Sequence, residues 1–262
     1  MKKLIIFADY GLDDAAATAT VLQRHARFET IDIIAVGGNV PSEVSLRNCC
    51  TLLSCFPETW NKITVVDTTA VAQPGEYLAD IHGKDGMGDL FDHRRTAAVR
   101  TVPFEQWLPT ADGTELLLSL GPMTLVKRLM EHRSTYFPVI MGGRVRTAPN
   151  YRGYEFNHGL DKEAFAFCTK VPHAAITLDT VRTTALDMRL REIVGDDVHS
   201  QIVRADQKLS ITRGEEGCFV WDDVAACYLL WPERFKLEEE TDQDGNRIYN
   251  AVYISEKLYF ED

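Results

Sequence analysis

The chain has 262 residues, 45% of them hydrophobic, and a formal net charge of −11 from 39 acidic and 28 basic side chains. That composition supports a sizeable core without a disorder signature, and its acidity argues against nucleic acid or membrane as partner while favouring a neutral small molecule or a cation. No run approaches the roughly 20 apolar residues of a membrane span.

In chain order, residues 4–8 form an apolar run that stops at Asp9, short of the roughly 7–15 apolar residues of a signal peptide. Gly11 follows, and a helical pattern runs from Asp13 to about Arg27. Residues 31–36 form a second run, closed by Gly37-Gly38-Asn39, and a helix starts near Ser42. Residues 63–66 read as a third strand, whereas 72–108 lack periodicity and predict long loops over one end of a sheet. Residues 116–120 end in Gly121-Pro122 and lead into a helix over 124–132. Residues 139–141 stop at Gly142-Gly143, and residues 174–178 at Asp179. Residues 235–240 and 248–254 predict an antiparallel hairpin around Asp244-Gly245. Short apolar strands alternating with helices give an α/β fold: one domain over residues 1–262, doubly wound, with a mainly parallel, Rossmann-like sheet and a C-terminal hairpin. The six cysteines form no CxxC pair and read as buried free thiols, so the cytoplasm is the expected location.

Ligands of doubly wound sheets bind outside the carboxyl ends of the strands. The polar residues at those ends are Asp9, Asp13 and Asp14, then Asn39, Thr124, Asn150, Glu155 and Asn157. The three carboxylates of Asp9, Asp13 and Asp14 raise one another's pKa unless a cation sits among them. Hard oxygen ligands suit Ca²⁺ or Mg²⁺, and the lack of a His/Cys cluster argues against zinc. Plainer roles stand beside this reading. Asp13 and Asp14 favour a helix N-terminus, and Asn39 suits a turn. Glu155 and Asn157 read equally as loop polar groups and His82 as structural, while Thr124 also suits a helix cap.

The segment Phe7-Ala8-Asp9-Tyr10-Gly11-Leu12-Asp13-Asp14-Ala15 resembles the N-terminal signature Asp-Thr-Asp-Pro-Gly-x-Asp-Asp-Ala of the inosine–uridine-preferring nucleoside hydrolases. Further similar segments follow in the family's order: Ala35-Val36-Gly37-Gly38-Asn39, His82-Gly83-Lys84-Asp85-Gly86-Met87-Gly88, Leu120-Gly121-Pro122-Met123-Thr124, Met141-Gly142-Gly143, Glu155-Phe156-Asn157 and Trp221-Asp222. The resemblance implies hydrolysis of an N-glycosidic bond of a ribonucleoside and a homodimeric or homotetrameric assembly. It implies a Ca²⁺ held by Asp9, Asp14, the Thr124 carbonyl and Asp222, with Asp9 as base toward a calcium-bound water. Asp13, Asn39 and Asn157 would bind ribose hydroxyls, and Glu155, with Asn150, the 5′-hydroxyl.

Departures from the family pattern bear on substrate. Phe7 replaces its first Asp, Tyr10 its Pro, Asp89 a Gly and Leu125 an Asn. Trp221 stands where many members carry the histidine that protonates the leaving base. Indole is no acid at neutral pH, but it can stack on a base. His82 and His158, beside matched motifs, are the substitute acids to test. A ribose- or nucleoside-binding protein that keeps the calcium site is the alternative. Mg²⁺-assisted phosphoryl transfer fits poorly, because no phosphate-cradling loop is present.

Overall fold

A computed structural model describes residues 2–181, 186, 188, 192–215 and 218–255. The strands β1 (Lys2–Ala8), β2 (Phe28–Ala35), β3 (Ile63–Asp67), β4 (Arg100–Pro103), β5 (Leu116–Ser119), β6 (Pro138–Met141), β7 (Ala174–Ile176), β8 (Phe235–Thr241) and β9 (Arg247–Tyr253) form one sheet. Its order is β4-β3-β2-β1-β5-β6-β7-β9-β8. All neighbours pair in parallel except β8 and β9, the C-terminal hairpin. The doubly wound fold and its hairpin are therefore as the apolar periodicity implies.

The helices are α1 (Leu12–Leu22), α2 (Ser42–Leu53), α3 (Ala79–His82), α4 (Phe104–Trp107), α5 (Thr124–His132), α6 (Phe156–Leu160), α7 (Lys162–Cys168), α8 (Leu178–Val181), α9 (Val198–Arg213) and α10 (Trp221–Leu230). Alternate residues of β1 serve opposite faces of the sheet. Leu4, Ile6 and Ala8 join the core beneath α1 and α10, whereas Ile5 and Phe7 join the core beneath α4, α5 and α7. Phe7, where the resemblance leads one to expect a carboxylate, is fully buried and packs edge-on against Trp107 at 6.4 Å.

Three expectations are corrected. The first helix ends at Leu22 and not near Arg27, because residues 23–27 carry no buried side chain that would hold a helical face to the core. A short 3-10 turn, His25–Arg27, delivers Phe28 to β2 instead. The region 72–108 is mostly irregular but contains α3, β4 and α4. The strand β4 escapes sequence reading because Arg100-Thr101-Val102-Pro103 is an exposed edge with no apolar run. Lastly, Met123, and not Thr124, occupies the cap position of α5, and no side chain caps that helix end.

Candidate active site

The strand order reverses between β1 and β5, and the loops leaving the carboxyl ends of β1, β2, β5 and β6 meet there. Asp9 follows β1 directly. Tyr10 then adopts φ 47°, a left-handed conformation costly for a bulky side chain. With that turn, Asp14 Oδ1 accepts the Asp9 N–H and Oδ2 accepts the Gly11 N–H, both at 2.9 Å. Asp14 thus satisfies the entry to α1, as its place in the first turn suggests, and it also belongs to an acidic cluster.

Carboxylate oxygens of Asp13, Asp14 and Asp222 lie within 4.8 Å of one another. Asp222 arrives from the first turn of α10, more than 200 residues away in sequence. Asp9 adjoins the cluster and is completely buried, with Asn39 donating to it. Burial raises the pKa of Asp9, Asp13, Asp14 and Asp222; for Asp9, Asp13 and Asp222, repulsion from neighbouring carboxylates adds to it. Asp13 Oδ1 and Asp222 Oδ1 are shut from solvent without a hydrogen-bond partner among the described residues. A hard divalent cation answers both the repulsion and the orphaned oxygens, so this donor set fits one. Thr124 lies at the start of α5, and its hydroxyl donates to Asp161 at 2.6 Å.

The cluster opens onto a cavity of about 670 Å³, reached by Asp13, Asn39, Asn150, Glu155, Asn157 and Trp221. The site residues expected for a substrate are thereby brought together. Asn157 is oriented by its own donors: Nδ2 donates to the carbonyls of Leu120 at 2.6 Å and Met141 at 3.3 Å. Its buried Oδ1 has no hydrogen-bond partner among the described residues and is free to accept one. Glu155 caps α6, its carboxyl accepting the N–H groups of Gly143, Asn157 and His158, each at 2.9 Å. Burial nevertheless pushes that carboxyl up to about 7.

The two histidines part company. His82 lines the cavity, but its Nδ1 accepts the Leu12 N–H at 3.2 Å. Burial and the nearby Arg213 depress its pKa to about 4, so the ring is neutral near pH 7. His158 does not line the cavity. Its ring stacks on Phe165 at 4.0 Å and turns to Asp242 and Asp244 of the β8–β9 turn. Its expected place beside the leaving group is corrected, because the side chain at the third position of α6 points behind the site. Where the family has glycine, Asp89 takes φ 54°, a conformation Asp tolerates better than most residues.

Sequence reasoning missed part of the cavity lining: Asp206, Ser210 and Arg213 of α9, and Phe219. A helical signal was available: the Asp197 carboxylate caps α9, accepting the Ser200 N–H at 3.1 Å, and Gly214 ends it at φ 73°. Residues 206, 210 and 213 then share one face.

Residues 4–254 match the family model described as inosine-uridine preferring nucleoside hydrolase. No curated protein matches the chain in sequence. Among solved structures, a purine-preferring ribonucleoside hydrolase from Gardnerella vaginalis is similar, with TM-score 0.73 and 21% identity over 99% of this chain and 96% of that one. An inosine-uridine preferring nucleoside hydrolase from Bacillus anthracis gives TM-score 0.70 and 18% identity, over 99% and 97% of the two chains. The two structures share the fold. The match of the family model to nearly the whole length shows more: the chain belongs to the inosine-uridine preferring nucleoside hydrolase family, whose activity is that of a nucleoside N-ribohydrolase.

Proposed function

We propose that this protein hydrolyses the N-glycosidic bond of a ribonucleoside in a calcium-dependent reaction, giving ribose and free base. The observation that carries the reading is the group of half-buried Asp13 with buried Asp14 and Asp222, two of its oxygens without a partner among the described residues, opening onto a cavity large enough for a nucleoside. Asp9, Asp14, the Thr124 carbonyl and Asp222 would hold the ion. When bound, calcium supplies charge compensation and Lewis acidity toward an attacking water and the ribose hydroxyls.

The chain's own groups do the rest. Asp9 takes the proton of the attacking water, steadied by the two Asn39 donors. Asp13, Asn39 and Asn157 bind ribose hydroxyls, and Glu155 with Asn150 binds the 5′-hydroxyl. Positive charge growing on the ribosyl ring is stabilised by the fixed carboxylates around it. Trp221, half-buried at the cavity wall, stacks on the base. We further read the protein as one cytoplasmic domain, a location supported by six free cysteines, and as a homodimer or homotetramer on the family resemblance.

A reducing-sugar assay on a panel of natural and 4-nitrophenyl ribosides tests this, with and without a calcium chelator. Release of ribose that is lost with chelator and in Asp9→Ala supports the reading. Binding of nucleoside without any release replaces it with a ribose- or nucleoside-binding protein.

A further inference from the structure

Among the described residues, few groups lining the cavity can neutralise the base as it departs. An N-glycosidic bond breaks readily only when the leaving nitrogen is neutralised, and Trp221 cannot supply a proton. The other candidates around the cavity are engaged. His82 is held neutral with Nδ1 on the Leu12 N–H. Glu155 serves three backbone N–H groups. The Tyr151 hydroxyl donates to Glu76. Glu215 is exposed and holds the Arg213 guanidinium by two hydrogen bonds, while Arg213 Nη1 donates to the Ile81 carbonyl.

Asp206 remains. It projects from α9 into the same cavity as Asp13 and Asp222, which Phe219 and Trp221 also line. It is only 8% exposed. Its carboxyl receives a weak hydrogen bond, from Cys218 Sγ at 3.4 Å, and no cation lies within ion-pair distance among the described residues. Burial outweighs the other influences and pushes the carboxyl up to about 6; the Cys218 thiol and Arg213 oppose it and Glu215 adds to it. Asp13, facing from α1, also feels the charge of Asp206. A carboxyl in such a setting keeps a substantial protonated fraction in mildly acidic solution.

We propose that Asp206 is the catalytic acid for the leaving group, an inference that rests on the hydrolase reading above. The Asp206 proton passes to a ring nitrogen of the base while the C1′–N bond breaks, its electron pair going to the departing nitrogen. Water delivers its oxygen to C1′ and a proton to Asp9. The base leaves neutral, and both carboxyls return to their starting states by exchange with solvent.

The test compares a natural nucleoside with 4-nitrophenyl riboside, whose phenolate departs without protonation, in wild-type protein and Asp206→Asn with calcium present. The expected result is a fall of at least about 100-fold in kcat for the nucleoside, with the nitrophenyl substrate nearly unaffected. The wild-type pH profile on the nucleoside should fall through pH about 6 on its alkaline side, a limb absent with 4-nitrophenyl riboside. Equal loss on both substrates, or no loss on either, overturns the inference. Should Asp206→Asn fail to fold, Cys218→Ala decides: removing the thiol donor moves the alkaline limb to higher pH if Asp206 is the acid, and an unmoved limb overturns it. Wild-type protein inactive on both ribosides overturns the hydrolase reading itself, and the inference with it.

Discussion

Asn39 grips Asp9 from two directions: its backbone N–H donates to Oδ2 at 2.6 Å and its side-chain amide to Oδ1 at 3.3 Å. The same amide reaches Asp14 Oδ2 at 3.2 Å, so one residue in the loop after β2 ties together a carboxylate just past β1 and one in the first turn of α1.

Asn39→Ala keeps the backbone bond and removes the side-chain ones. A hydrogen bond to a charged group contributes about 1.5–3 kcal/mol, so kcat/KM for a riboside should fall roughly 10- to 100-fold. Steady-state kinetics check the rate. A calcium titration by calorimetry should show weaker binding, and an unchanged affinity and rate would remove Asn39 from the site.

Gly38 is glycine because of Asp9. A Cβ at this position would overlap Asp9 Oδ2 and come within 2.8 Å of Pro122 Cδ. Gly38→Ala must therefore displace either the candidate base or the β5 loop. The expected outcome is loss of ribose release together with a lowered Tm, the overpacking cost being about 1–3 kcal/mol. Wild-type activity in this variant would contradict the placement of Asp9.

Removal of metal should leave the folded chain carrying the buried repulsion of its acidic cluster. Adding calcium at about 100 times its Kd contributes roughly 2.7 kcal/mol, which for a protein this size raises Tm by several degrees. Differential scanning calorimetry with calcium and with chelator measures the shift. In Asp222→Asn the shift should shrink, because one ligand oxygen loses its charge.

A second buried carboxylate, Asp223, accepts from Thr20 Oγ1 at 2.5 Å and lies 2.6 Å from His199 Nε2. Burial lowers the His199 pKa, but the charge of Asp223 and its hydrogen bond outweigh that and raise it above the ordinary value of 6.5. The folded state thus binds a proton more tightly than the unfolded one. The resulting stability is fully present below about pH 6.5 and is lost as pH rises through the folded pKa. Denaturant midpoints across that range should decline in wild-type protein, and His199→Gln should flatten the decline.

Trp221→Ala removes the ring expected to stack on the base. Base–aromatic stacking is typically about 1–3 kcal/mol. KM for natural nucleosides should rise more than KM for 4-nitrophenyl riboside, measured side by side. An equal rise would assign the ring to the packing of Phe219, whose centroid is 5.8 Å away.

Much of this was legible in the chain before its fold. The apolar runs that become β1, β2 and β5, each ending in glycine or a carboxylate, identify a covered parallel sheet, because a strand buried on both faces has no polar alternation. The order of the motifs through Asp9, Asn39, Glu155, Asn157 and Asp222 named the residues that meet at the carboxyl ends of the strands. The edge strand β4 was not legible, since its exposed residues carry no apolar pattern.

Other facts depend on approach through space. That Asp13, and not Asp9, shares the group of oxygens within 4.8 Å with Asp14 and Asp222 follows from how α1 and α10 pack side by side. The separation of His82 from His158 depends on which face of a one-turn helix each occupies, and both sit beside equally plausible motifs in the chain. Asp206 gave no motif at all. It enters the site because α9 lies across α1 and α3 and presents its polar face to the cavity. Residue type and spacing carry local chemistry along the chain; which side chains share a low-dielectric space is a property of packing.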